Sequence, residues 1–254
     1  MPSAFRLILD PPRQAAQNMA LDEVLARAQA RADAIPSLRF YRWEKPSVSI
    51  GYFETVEKVA KHYQAAKNHL AVVRRLTGGG AVYHDKDLTF SLCLRLPSAY
   101  FSSEVKASYL RINEAIRLGL KADFPAIDFA DCRRLAGEKN TALSVSARQK
   151  GRVCFEALSC YDLLLHGKKI LGASQRRIGP TFLHQSTLFL EGGAAMLEES
   201  IVRGFRDLWK VNFVEASFTP EEISLAADIE QQRYAAKDWA YLPGSFLREE
   251  IFFS

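Results

Sequence analysis

The sequence predicts an α+β fold, a mixed and largely antiparallel β-sheet flanked by helices. Three observations lead there. Residues 88–96 alternate strictly, with Leu88, Phe90, Leu92, Leu94 and Leu96 on one side and Thr89, Ser91, Cys93 and Arg95 on the other. That period of two belongs to a strand with a core face. Met19, Leu21, Val24, Leu25 and Ala28 instead fall at helical spacing, the mark of an amphipathic helix. Finally, strands and helices are intermixed without the steady βαβ alternation of a doubly wound parallel sheet.

Taken in order, FRLILD (5–10) reads as a strand, followed by the helix over roughly 14–31. LRFYRW (38–43) and SVSIGYF (47–53) are two strands joined by a turn at Pro46, and 55–68 is a helix. Apolar strands at 71–73 and 81–84 bracket a glycine run, and the 88–96 strand follows. Val105, Tyr109, Ile112, Ile116 and Leu120 mark a helix over about 103–122. YDLLL (161–165) and KKILGAS (168–174) form a hairpin turning at His166-Gly167, and 182–190 is a further strand. The remaining chain after about residue 195 is mostly helical, with a function the sequence leaves open. Within it, Thr219-Pro220-Glu221-Glu222 is a capping box with proline at the first helical position. With 254 residues, no repeat, no linker and no break in composition, residues 1–254 read as one domain with ample length for a core.

Composition removes several classes. The 16 Phe, 9 Tyr and 3 Trp supply too much burial for a disordered chain. No stretch approaches the ~18 apolar residues of a membrane span. The opening MPSAFRLILDPP has only a short apolar run closed by a proline pair, which does not read as a secretory signal; the expected location is the cytoplasm. Cys93, Cys132, Cys154 and Cys160 lie 39, 22 and 6 residues apart, which makes neither a CxxC pair nor zinc spacing, so no metal is expected. Charge is 34 − 29 = +5. Paired arginines recur at 74–75, 133–134 and 176–177, but no basic tract interleaves with aromatics, so an acidic protein is the expected partner rather than nucleic acid.

Two segments can carry chemistry. In RRLTGGGAVYHD, Arg74 to Asp85, three glycines join strand to strand, so they are neither a dinucleotide fingerprint nor a P-loop. Gly78, Gly79 and Gly80 let backbone approach a ligand closely, or simply turn a sheet corner; Arg75 before them and His84 after them favour a site. In the second, CFEALSCYDLLLHGKKILGASQRR, Cys154 and Lys169 lie fifteen residues apart on successive strands. A thiolate is the nucleophilic form of cysteine, and an ammonium can hold the charge developing on a thioester oxygen. Lys168 faces away from Lys169 by pleat geometry, so only one of them enters a site. Cys132, followed by Arg133 and Arg134, competes as nucleophile, and Cys160 shares the parity of Cys154. Cys93 reads as structural.

Together with NMALDEVL (18–25), LRFYRWEKPSVSIGYF (38–53) and LHQSTLFL (183–190), these segments resemble the biotin/lipoate A/B protein ligase family, over most of the chain. The resemblance implies a biotin/lipoate ligase-like catalytic domain, a mixed sheet with flanking helices around an acyl-chain pocket. Within that family the lipoate–protein ligases use ATP to make an acyl-adenylate, and their glycine block typically runs on into a Gly-Asn pair. This chain has Asp87 and Leu88 there, a departure from that branch.

The block from Cys154 to Gln175 looks instead like the cysteine-dependent octanoyltransferases. That resemblance implies an octanoyl group taken from acyl carrier protein onto Cys154. It then passes to a lysine on a lipoyl domain of a 2-oxoacid dehydrogenase or of the glycine cleavage H protein, with Lys169 assisting. It places Arg75, Thr77, Gly78, Gly79, Gly80, Tyr83 and His84 around the acyl group, and it implies no cofactor. The rivals are ATP-dependent lipoate ligation and shuttling of octanoyl groups between lipoyl domains. Two departures stand out: His184-Gln185-Ser186 where the family usually has His-Gly-Ser, and Cys160 where it often has an aromatic residue.

Overall fold

The alternation of residues 88–96 becomes β6 (Leu88–Arg95), inside a six-stranded sheet. Across the sheet run β10 (Leu171–Ile178), β11 (Thr181–Leu188), β6, β2 (Ser37–Tyr41), β1 (Ala4–Leu9) and β12 (Asn212–Glu215). The computed structural model describes residues 4–65, 68–131, 158–236 and 239. From β10 to β2 all pairings are antiparallel, whereas β2–β1 and β1–β12 are parallel. The sheet is thus mixed and mostly antiparallel, as the pattern predicts. The β12 pairing, set by a four-residue strand that is mostly exposed, has no counterpart in the sequence reading.

Both faces of the sheet are buried. On one, Leu38, Phe40, Phe90, Leu92 and Phe182 pack with Ile112 and Ile116 of α3 (Val105–Leu120) and with Ile201 and Phe205 of α4 (Ala194–Trp209). These two helices cross with backbones in contact. A Cβ on Gly119 would lie 1.8 Å from the Ser200 carbonyl oxygen, and one on Gly204 1.9 Å from that of Ala115; only glycine fits such a crossing.

The other face carries α1 (Ala15–Ala28). The helix is not amphipathic in its setting, because Asn18 to Ala26 are all buried. Its outer side is covered by α5 (Pro220–Ile229) and by the turn Glu230–Tyr234, through Ala226, Ile229 and Tyr234. The chain after residue 195 therefore covers both faces: α4 closes the apolar one and α5 closes α1. The capping box that starts α5 is present, with Glu222 N–H donating to Thr219 Oγ1 at 3.2 Å and Thr219 N–H to the Glu222 carboxylate at 2.9 Å.

A second sheet orders β4 (Ala71–Arg74), β3 (Ser47–Ile50) and β5 (Val82–His84). The two strands expected on either side of Pro46 thus belong to different sheets. β3 stops at Ile50 rather than 53 because Gly51 meets the glycine run: a Cβ there would sit 1.9 Å from the Gly79 oxygen. The helix expected over 55–68 is shorter, α2 (Val56–His62), ending before Gln64 turns left-handed at φ 48°. A third sheet orders β7 (Ile127–Phe129), β8 (Leu163–Leu165) and β9 (Lys168–Lys169). The β8–β9 turn is the expected His166-Gly167, with φ of 50° and 77°, the all-positive pair that a two-residue hairpin of this twist uses.

Candidate active site

Arg39 and Tyr41 of β2, Ser91 of β6 and Gln185 of β11 point toward α1, and there they meet buried charge. Arg39 places its guanidinium between Asp10 and Asp22, with Nη2–Oδ2 and Nη1–Oδ1 distances both 2.7 Å. Its remaining donors go to Asp10 Oδ2 (3.1 Å), Asn18 O (3.0 Å) and Asn18 Oδ1 (2.8 Å), so all five N–H groups of the fork are used. Burial alone would lower the Arg39 pKa, but the Asp22 and Asp10 carboxylates outweigh it and raise it. Asp22 also accepts from Ser91 Oγ (2.7 Å), Tyr41 OH (2.9 Å) and the Gln185 amide (2.7 Å). Burial, followed by the Asp22 charge, pushes the Tyr41 phenol well above its ordinary value.

From Gln185 the row continues outward. Thr77 Oγ1 donates to Gln185 Oε1 at 2.6 Å and lies 2.7 Å from Ser174 Oγ. Beside it opens a slot between α1, β10 and the glycine-bearing sheet. Met19, Tyr41, Trp43, Ser49, Arg75, and Gly172 to Ser174 are among the residues that line it.

The glycine run is held by Arg75. Its Nη2 donates to the carbonyls of Gly78 (2.7 Å) and Gly80 (2.8 Å), and its Nη1 to the Ser49 hydroxyl and carbonyl, both at 3.2 Å. Ser49 Oγ lies 2.8 Å from His84 Nε2, and His84 Nδ1 2.8 Å from Asp87 Oδ2. An ionised Asp87 only accepts, so Nδ1 carries the proton and Nε2 accepts from Ser49. Burial pushes the His84 imidazole below its ordinary value, against the opposing pull of Asp87. The ring stacks on Trp43 with centroids 3.9 Å apart. The set presents a neutral imidazole and a fixed guanidinium at one wall of the slot. Arg74, the neighbour of Arg75, points elsewhere and ties the carbonyls of Tyr52 (2.7 Å) and Glu54 (2.8 Å).

Of the residues picked out from sequence, the structure brings Arg75, Thr77, the Gly78–Gly80 run and His84 to this slot and its border. Tyr83 turns outward by the pleat, 37% exposed, and stacks on Tyr63. Lys169 sits on β9 with Nζ 2.7 Å from Asp162 Oδ2 and its side chain nearly buried, while Lys168 is exposed, the opposition that the pleat requires. Cys154 and its competitor Cys132 lie outside the described residues. Cys160 is exposed and Cys93 buried; burial pushes the Cys93 thiol well up, in keeping with a structural role. Sequence reasoning missed Asp22, Arg39, Ser49 and Ser174, and marked Asp87 and Gln185 only as departures from the family pattern. For Asp22 a signal existed, since Met19 and Leu25 three positions either side place it on the apolar stripe of its helix. No group of three or more side chains suited to a metal ion occurs among the described residues, and no described helix is long and apolar enough to cross a membrane.

Comparison with known proteins bears on what such a slot does. The family model of the lipoyl protein ligase A/B catalytic domain matches residues 14–217. An octanoyltransferase LipM of Moorella thermoacetica is 29% identical over 261 residues, which cover 87% of this chain and 92% of that protein. The octanoyltransferase LipM of Oceanobacillus iheyensis is 32% identical over 197 residues, 78% of this chain and 68% of its own. Among solved structures, a lipoate-protein ligase A bound with ATP superimposes with a TM-score of 0.76 at 24% identity, covering 94% of this chain and all (100%) of that one. The bi-partite lipoate protein ligase of Thermoplasma acidophilum gives 0.72 at 23%, over 96% and 98%. At those identities the two structures establish a common fold.

Proposed function

The chain belongs to the lipoyl protein ligase A/B catalytic domain family, and from that premise we propose that it carries an octanoyl group from acyl carrier protein to a lipoyl-domain lysine through a thioester on Cys154. As an activity, octanoyl transfer in protein lipoylation rests on one observation above all: the octanoyltransferase from Moorella matches over 92% of its own length.

The chemistry asks for few parts. In the first half, the Cys154 thiolate adds to the carrier's thioester carbonyl, and the carrier's thiolate leaves and takes a proton. In the second, the target amine adds to the enzyme thioester, Cys154 leaves as thiolate, and the amide forms with release of the amine proton. Both halves pass through an oxyanion that a fixed cation stabilises. Lys169, held in its ion pair with Asp162, is the residue proposed for that task. No ATP is consumed, because a thioester already carries the acyl group in activated form. Arg75 and His84 shape the wall of the slot, which takes the aliphatic tail. Burying the tail at ~0.8 kcal/mol per methylene gives several kcal/mol of binding. The net charge of +5 suits a cytoplasmic encounter with two acidic protein partners, the carrier and the lipoyl domain of a 2-oxoacid dehydrogenase or glycine cleavage H protein.

Intact-mass spectrometry after mixing with octanoyl carrier protein tests this. The expected result is one hydroxylamine-sensitive octanoyl adduct on the peptide containing Cys154, absent from Cys154→Ser. An adduct mapped to Cys132 or Cys160 overturns the assignment. Pyrophosphate release from ATP and lipoate, with no adduct, overturns the mechanism in favour of adenylation.

A further inference from the structure

Gln185 is one of the residues that line the slot. In register it faces Ser174 on β10 and Ser91 on β6, and its side chain projects toward Met19 and Asp22 on α1, into the slot lining. Both ends of its amide are tied. The oxygen accepts from Thr77 at 2.6 Å and the nitrogen donates to Asp22 at 2.7 Å. Swinging the amide aside would strip a buried carboxylate of one donor and break the bond from Thr77, at a cost that makes the side chain a fixed wall rather than a movable plug. This stretch of the lining is also polar: beside the amide stand the hydroxyls of Thr77 and Ser174, which return nothing for an added methylene.

We propose that Gln185 sets the length of acyl chain this enzyme accepts, acting as a fixed polar stop within the slot. This rests on the acyl-transfer function argued above. Replacing Gln185 by glycine removes a side chain with roughly three carbons' reach, and each methylene newly buried is worth about fourfold at ~0.8 kcal/mol. Asp22 keeps Arg39, Ser91 and Tyr41 as donors in that variant.

The test is a competition in one tube between octanoyl, decanoyl and dodecanoyl carrier proteins for transfer to a lipoyl domain, read by mass as product ratios. Because the ratio does not depend on how much enzyme is folded, a less stable variant is still informative. The wild type is expected to favour octanoyl over the two longer chains. Gln185→Gly should raise the decanoyl-to-octanoyl ratio about 15-fold or more, and Gln185→Leu, close in volume, should leave the octanoyl preference in place. Ratios unchanged in Gln185→Gly overturn the inference while leaving acyl transfer standing. No transfer from any donor by the wild type overturns both.

Discussion

The two faces of the six-stranded sheet use the same strands for opposite ends. On β2 and β6, Phe40 pairs across from Phe90 and Leu38 from Leu92, whereas Arg39 pairs across from Ser91. The first pairs enter an apolar core under α3 and α4; Arg39 and Ser91 enter a charged layer under α1. Burial is equally complete on both, so burial by itself does not separate packing from function here. What separates them is specificity of arrangement: the apolar face tolerates any set of side chains of the right volume, while each member of the charged face is fixed by named partners. The slot borders the second face.

The sharpest way to break this contrast is Arg39→Met. It leaves Asp10 and Asp22 buried without their guanidinium, and such a loss costs about 3–5 kcal/mol; a urea unfolding midpoint checks it. A fall below about 1 kcal/mol would mean the charged layer is no more demanding than the apolar one. His184 tests the contrast from the other side, since it is a titratable residue on the apolar face, among Phe90, Phe182 and Tyr109, with its ring nitrogens on Ser186 and Gln175. Burial, helped by the Arg177 charge, lowers its pKa to about 3, below the ordinary 6.5. Between those values the unfolded chain binds a proton that the folded chain does not. Stability should therefore fall with falling pH through that window, by about 1.4 kcal/mol per unit from this group, and be fully present above it. Comparison of unfolding midpoints at pH 7 and 5 for the wild type and His184→Gln isolates that share: the wild type should show the steeper loss. The smallest effect is that of Ser91→Ala, which removes one of four donors to Asp22, at about 1.5 kcal/mol. Measured with Arg39→Met in a double-mutant cycle, it should be non-additive, because both residues serve one carboxylate.

The same contrast explains what could be read from the sequence. β6, the His166-Gly167 turn and the Thr219 cap follow from local rules, a period of two, a positive-φ pair and a box of four residues, and the structure has them all. The glycine run between Arg75 and His84 was legible as a place of close backbone approach, and Gly51 against Gly79 shows how close. The charged layer was not legible, because its pairs are long-range: Arg39 to Asp22, Gln185 to Thr77, Ser49 to His84. A sequence shows each of these only as a polar residue in an apolar stretch. Gln185 is the clearest case. Against the family pattern it reads as a glycine replaced, and only the position of its amide between Thr77 and Asp22 turns that departure into a statement about substrate.

Adjacent on α1, Asp22 looks inward to the sheet and Glu23 outward to Arg27, Arg233 and Tyr234. Two of these partners, Arg233 and Tyr234, lie 210 and 211 positions further along the chain. During synthesis, the helix that borders the slot thus carries a carboxylate lacking two of its native contacts until Arg233 and Tyr234 have left the ribosome. Early release of the chain would leave a molecule whose first helix has no outer wall.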